Sequence, residues 1–159
     1  PHSFRKLQLN HLFNINVKSL RLAVSNQDGF IFLQEDGYEN VLSKVVNNRD
    51  NGNALRVKSS TLDKLLQKFP HLRSPDLVSI DVEGHENDVL LGSMQCLPKA
   101  KVVIIETDEL KLTGIRKNKA LKNHHPRYMN GVNVFFLNAN ITFPAVNNLP
   151  KGFIKCYPN

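Results

Sequence analysis

Four titratable side chains fall within six residues in the stretch Asp81-Val82-Glu83-Gly84-His85-Glu86. Carboxylates held together raise one another's affinity for protons. A histidine among them adds a group whose charge changes near neutral pH. Such a set suits proton transfer, or coordination of a hard divalent ion through oxygen and nitrogen. A metal site would draw on Asp81, Glu83, His85 and Glu106, but alternating positions on one turn do not establish a coordination geometry, and no metal is expected. The plainer alternative is a solvated turn in which Gly84 makes the bend and Glu86 faces the positive end of a helix.

The flanking residues say where this stretch sits. Leu77-Val78-Ser79-Ile80-Asp81 reads as a strand ending in a carboxylate. From Glu86 to Leu97, Val89, Leu90, Met94 and Leu97 share one helical face, and Pro98 ends the helix. Lys101-Val102-Val103-Ile104-Ile105-Glu106 is a near-continuous apolar strand, the pattern expected when both faces are covered. Residues 77–106 therefore form a βαβ unit with parallel strands and a right-handed crossover. Ligands of open α/β sheets bind beyond the carboxyl ends of the strands. Asp81 and Glu106 both stand there.

Upstream, Phe4 to Phe13 reads as a helix and Leu20 to Val24 as a short strand. A turn at Asn26-Gln27-Asp28-Gly29 leads to a strand at Phe30–Leu33. Asn47 to Asn53 is a polar loop, and Ala54 to Lys58 a strand. Thr61 to Phe69 is an amphipathic helix with Leu62, Leu65, Leu66 and Phe69 on its apolar face. Ser60 or Thr61 caps it and Pro70 stops it. Downstream, Leu112 to Tyr128 is basic and partly helical, and Val132–Leu137 and Gly152–Tyr157 are strands that could close an antiparallel pair. One domain spanning residues 1–159 is expected, an open α/β sheet with a partly antiparallel edge.

The chain carries 21 Lys and Arg against 14 Asp and Glu, a formal charge of +7, which permits anionic partners. Arg116, Lys117, Lys119, Lys122, His124, His125 and Arg127 concentrate that charge. Only Tyr128 accompanies them, so a solvated loop over the site is expected rather than a nucleic-acid interface built on stacking. Cys96 and Cys156 match no zinc spacing. No apolar run approaches the roughly 20 residues of a membrane span. Compartment and oligomeric state are not legible.

The block Ser79-Ile80-Asp81-Val82-Glu83-Gly84-His85-Glu86, continued by Val89-Leu90 and Gly92, resembles the signature of FkbM-type methyltransferases. Thr61-Leu62-Asp63 resembles that family's T-L-D helix. Leu22-Ala23-Val24-Ser25-Asn26 with Gly29 resembles its A-V-S-x-x-x-G strand and turn. Val103-Ile104-Ile105-Glu106 resembles the strand that follows the signature. The resemblance implies a class I, Rossmann-like fold: a three-layer α/β sandwich with a mostly parallel sheet. It also implies S-adenosylmethionine as cofactor and transfer of a methyl group to a hydroxyl of a sugar, glycan or small natural product. Asp81 would sit beside the methyl donor, and Glu83 or His85 would face the acceptor, with His85 the natural general base. Ala23 would lie near the adenine, and Glu106 would complete the cofactor site. The family's glycine-rich loop and first two strands are not found in this sequence, so a partial domain with an exposed edge beside Asp81 is expected. A retired enzyme kept as a binding module, or a basic nucleic-acid-binding domain, are the alternatives.

Overall fold

Alternating apolar residues at 102–106 and 133–138 create the interior of this molecule. In the computed structural model, which describes residues 2–11, 14, 16–35, 43–46, 54–146 and 148–156, these segments are strands β6 (Val102–Glu106) and β8 (Asn133–Asn138). They pair antiparallel, with Val103 opposite Phe136 and Ile105 opposite Val134. All four side chains are fully buried. Around them pack Ile80, Val89, Leu90, Leu97, Ile115, Ala120 and Leu121, every one from the second half of the chain.

The fold is mixed α/β with two sheets. The helices are α1 (His2–Asn10), α2 (Leu62–Gln67), α3 (Glu86–Leu91) and α4 (Glu109–Arg116). The first sheet has the order β1-β4-β2-β3, from Ala23–Val24, Ala54–Ser60, Gly29–Glu35 and Ser43–Val46. The second has the order β5-β6-β8-β7-β9, adding Leu77–Ile80, His124–Asn130 and Phe153–Lys155.

The βαβ unit forms as its sequence predicts. Strands β5 and β6 pair in parallel, with Ile80 opposite Ile105, and α3 lies between them in the chain. A mostly parallel sheet does not form. Among the described strands only β1–β4 and β5–β6 are parallel, and the other five ladders are antiparallel. Connection length explains part of this. A parallel return needs a crossover of a dozen or more residues, whereas β7 and β8 are joined by two, Gly131 and Val132. Gly131 takes a φ of +59°, the conformation a tight hairpin demands and glycine supplies.

Several expectations change in detail. Residues 124–128 are not a solvated loop or helix but the start of β7, in which His124 is buried and His125 exposed. The last two strands do not pair with each other; β7 lies between β8 and β9. Strand β6 is buried on one face only, with Val102 and Ile104 half-buried. Of residues 20–24, only Ala23 and Val24 join a ladder. The polar loop at 47–53 lies outside the described residues, as do the ends of the first helix and last strand foreseen from sequence.

The helix expected over 86–97 stops at Leu91, where the Ser93 amide donates to the Leu90 carbonyl and the Ser93 hydroxyl to the Val89 carbonyl, and Asp63 holds the turns beyond. The Asp63 carboxylate accepts from the amides of Gln95 and Cys96, both at 2.9 Å, and the Asp63 amide donates to the Gly92 carbonyl at 3.1 Å. Those groups would otherwise continue the helical ladder. Turns follow to a 3-10 segment at Leu97–Lys99, and Met94 is left half-exposed instead of joining Val89, Leu90 and Leu97 inside. Gly92 is required by contact: a Cβ there would stand 2.0 Å from the Ser25 carbonyl oxygen and 3.3 Å from Thr61 Cβ. Thr61 caps α2 by accepting from the Lys64 amide at 3.2 Å.

Two outcomes follow from this packing. Gly92→Ala must push Ser25 backbone aside and should lower stability by about 1–3 kcal/mol or more in denaturant titration; an unchanged midpoint would contradict the contact. His124 bonds the Ala100 carbonyl through Nε2 at 3.0 Å, while its buried Nδ1 has no partner. Burial pushes its pKa below the ordinary 6.5, so the unfolded chain takes up a proton first as pH falls. The stability this contributes is complete above pH 6.5 and declines as pH falls through the lowered value. His124→Gln should therefore lose less thermal stability than the parent between neutral pH and pH 5.

Candidate functional site

The turn between β5 and α3 is built by its own residues. The His85 amide donates to the Val82 carbonyl at 3.2 Å, closing a four-residue turn. Both central residues are left-handed, Glu83 at φ +50° and Gly84 at φ +97°. Glycine adopts that conformation freely, whereas for Glu83 it costs roughly 1–2 kcal/mol. The buried Glu86 carboxylate accepts from the Gly84 amide at 2.7 Å and pins the turn in place. Backbone strain of this kind collects at ligand sites. Its effect here is to carry Glu83 outward as an exposed side chain at the tip.

The parallel register sets the next contact. Ile80 lies opposite Ile105, so Asp81 and Glu106 follow at neighbouring strand ends. The Glu106 carboxyl holds its proton more tightly than the ordinary 4.5 would allow. The charge of Asp81 is the largest cause, followed by lost hydration, a hydrogen bond with the Asp81 carboxyl, and the charges of Glu83 and Glu86. The strand ends therefore carry more negative charge than they neutralise. Lys111, on α4, is the nearby cation. It is paired with Asp108 at 3.1 Å, and its proton affinity is raised by Asp108 first and by Glu86 and Glu83 further away. Among the described residues, no group of three or more His, Cys, Asp or Glu is placed to hold a metal ion.

His85 turns toward the first sheet. Its Nε2 lies 3.0 Å from the hydroxyl of Ser25, and its Nδ1 lies 3.1 Å from Oδ2 of Asp88. The other Asp88 oxygen accepts from the Asn26 side-chain amide at 2.6 Å. Ser25 is buried, and its amide donates to the Ser60 carbonyl at 3.0 Å. The imidazole is mostly enclosed, with 13% of its side chain exposed. Both ring nitrogens are thus engaged.

Of the residues singled out from sequence, Asp81, Glu83 and Glu106 come together electrostatically, and His85 stands on the same turn but contacts Ser25 and Asp88. Ala23 belongs to β1 in the other sheet, opposite Ser59, two residues before Ser25. Sequence reasoning gave Ser25, Asn26 and Asp88 no role in the site, although Ser25 and Asn26 stand in the strand-and-turn motif of the family resemblance. Asp88, three residues after His85 on a helix, was the available signal. A surface cavity of about 200 Å³ between Asp63, Arg73, Gln95 and Lys99 contains none of the strand-end carboxylates.

The sequence profile of the methyltransferase FkbM domain matches residues 3–138, most of the chain. Comparison with curated proteins and with solved structures found no match.

Repulsion at the strand ends has a measurable consequence. The charges of Asp81, Glu83 and Glu86 oppose ionisation of Glu106, so a neutral replacement relieves the fold. Glu106→Gln should raise the melting temperature at pH 7.5. The gain should shrink as pH falls through the raised pKa of Glu106 toward 4.5, because the parent then takes up the proton itself. A loss of stability at pH 7.5 would contradict the repulsion.

Proposed function

The chain belongs to the methyltransferase FkbM domain family, and on that premise we propose that it is an S-adenosylmethionine-dependent methyltransferase acting on a hydroxyl of a sugar, glycan or small natural product. Family membership supports methyl transfer. The observation that carries the cofactor assignment is the unneutralised charge of Asp81 and Glu106 at adjacent strand ends. S-adenosylmethionine brings a sulfonium and an α-ammonium, two cations that such a place attracts, and hydroxyls that carboxylates accept from. The parallel β5–β6 pair, with α3 as its crossover, supports a class I, Rossmann-like reading of this part of the molecule.

The cofactor, when bound, supplies an activated methyl carbon; the protein's residues align and deprotonate. Asp81 and Glu106 hold the donor end. Glu83, exposed at the tip of the strained turn, faces the acceptor and takes its hydroxyl proton. His85, with both nitrogens occupied, is assigned to holding the turn instead of removing the proton. Ala23, the first residue of β1, lies near the adenine ring on this reading.

Calorimetric titration tests this reading. S-adenosylmethionine should bind with a Kd in roughly the micromolar range, and Asp81→Asn should weaken it about tenfold or more. S-adenosylhomocysteine lacks the sulfonium charge and should lose less affinity on the same substitution. Absence of binding to the folded chain, or equal affinity in Asp81→Asn, would count against the assignment.

A further inference from the structure

The two sheets meet at a small set of polar groups. Ser25 and Asn26 follow β1 of the first sheet; His85 and Asp88 belong to the turn and helix that follow β5 of the second. The contacts form a chain from Asn26 to Asp88 at 2.6 Å, Asp88 to His85 at 3.1 Å and His85 to Ser25 at 3.0 Å. The contact at Gly92 brings the Ser25 carbonyl against the other end of the same helix. Ser25 is thereby held at both ends of α3.

The donors and acceptors in this chain fix a chemical state. A carboxylate can only accept, and the Asn26 amide already donates to one Asp88 oxygen. The other oxygen makes its approach to His85 favourable only if Nδ1 carries hydrogen. A neutral imidazole protonated at Nδ1 has its lone pair at Nε2, where it accepts from the Ser25 hydroxyl. Ser25 and most of the imidazole are buried, so water competes little for the bond between them, while the Asp88 carboxylate stands partly exposed.

We propose that Asp88 and Ser25 are positioning residues that hold His85 in the Nδ1–H form as a latch between the end of β1 and the turn at 82–85, and so set the width of the crevice in which the cofactor is bound. The latch rests on the cofactor reading given above for its consequence, but not for its chemistry. The turn carries Glu83 and adjoins Asp81, and β1 carries Ala23. The separation of those two edges decides whether one ligand can touch both. Ser25 and Asp88 act through His85 and need not touch the ligand.

Nitrogen NMR of the ligand-free chain reads the latch directly, since a protonated and an unprotonated ring nitrogen resonate far apart. His85 should show a protonated Nδ1 and an unprotonated, hydrogen-bonded Nε2. Asp88→Asn should shift the ring toward the Nε2–H form. Ser25→Ala should keep the Nδ1–H form but move the Nε2 signal toward that of a nitrogen without a donor. Both variants should bind S-adenosylhomocysteine about three- to tenfold more weakly, with the melting transition retained. An Nε2–H ring in the parent chain would overturn the proposal, as would a tautomer indifferent to Asp88→Asn or unchanged affinity in both variants. Absence of cofactor binding in the parent, with the Nδ1–H ring present, would instead sink the cofactor reading and remove the latch's proposed purpose.

Discussion

The carboxylate of Asp63 accepts from two consecutive peptide N–H groups and holds the turns beyond the end of α3. The Asp63 amide, bonded to the Gly92 carbonyl, fixes where Gly92 falls. Gly92, lacking a Cβ, admits the Ser25 carbonyl, and Ser25 in turn reaches His85. The first sheet is seated on the second through this contact and through Val24, which packs against the core. The arrangement of the strand ends thus depends on an acid placed outside the chemistry, on a helix before the signature turn. It is also an interaction that tolerates no near substitute, because both oxygens are used.

The site itself is built against stability. Glu83 is held left-handed, and Glu106 is set beside like charges that oppose its ionisation. Neither feature helps the chain fold. Both are held by surrounding structure that is well satisfied: the buried strands β6 and β8 on one side, and the Glu86 bond to the Gly84 amide on the other. A rigid floor under a strained, negatively charged turn is an economical way to prepare a place for a cation without waiting for the ligand to shape it.

Much of this was legible in the sequence, and the rest was hidden for identifiable reasons. The parallel pair of strands, their order and the two carboxylates at their ends were readable from apolar runs closed by acids. The end of α3 was not, since Val89, Leu90, Met94 and Leu97 keep helical spacing and the competing acid lies about 30 residues upstream. Strand β7 was obscured because His124, His125, Pro126 and Arg127 read as a polar segment; the pair Asn130-Gly131, a hairpin signal, was the missed clue. The expected parallel sheet came from the family resemblance, whereas the two-residue link between β7 and β8 determines an antiparallel ladder there. Ser25 was invisible as a partner of His85 because only folding brings residues 60 positions apart within 3.0 Å.

The claim at the centre of this account is that the ends of β1, β5 and β6 form one ligand site. Amide chemical-shift mapping during addition of S-adenosylhomocysteine tests it most directly. Shifts confined to residues 23–26, 81–86 and 106–107 are the predicted result. Shifts gathered instead on α4 and the basic residues of β7, or none at saturating ligand, would contradict it.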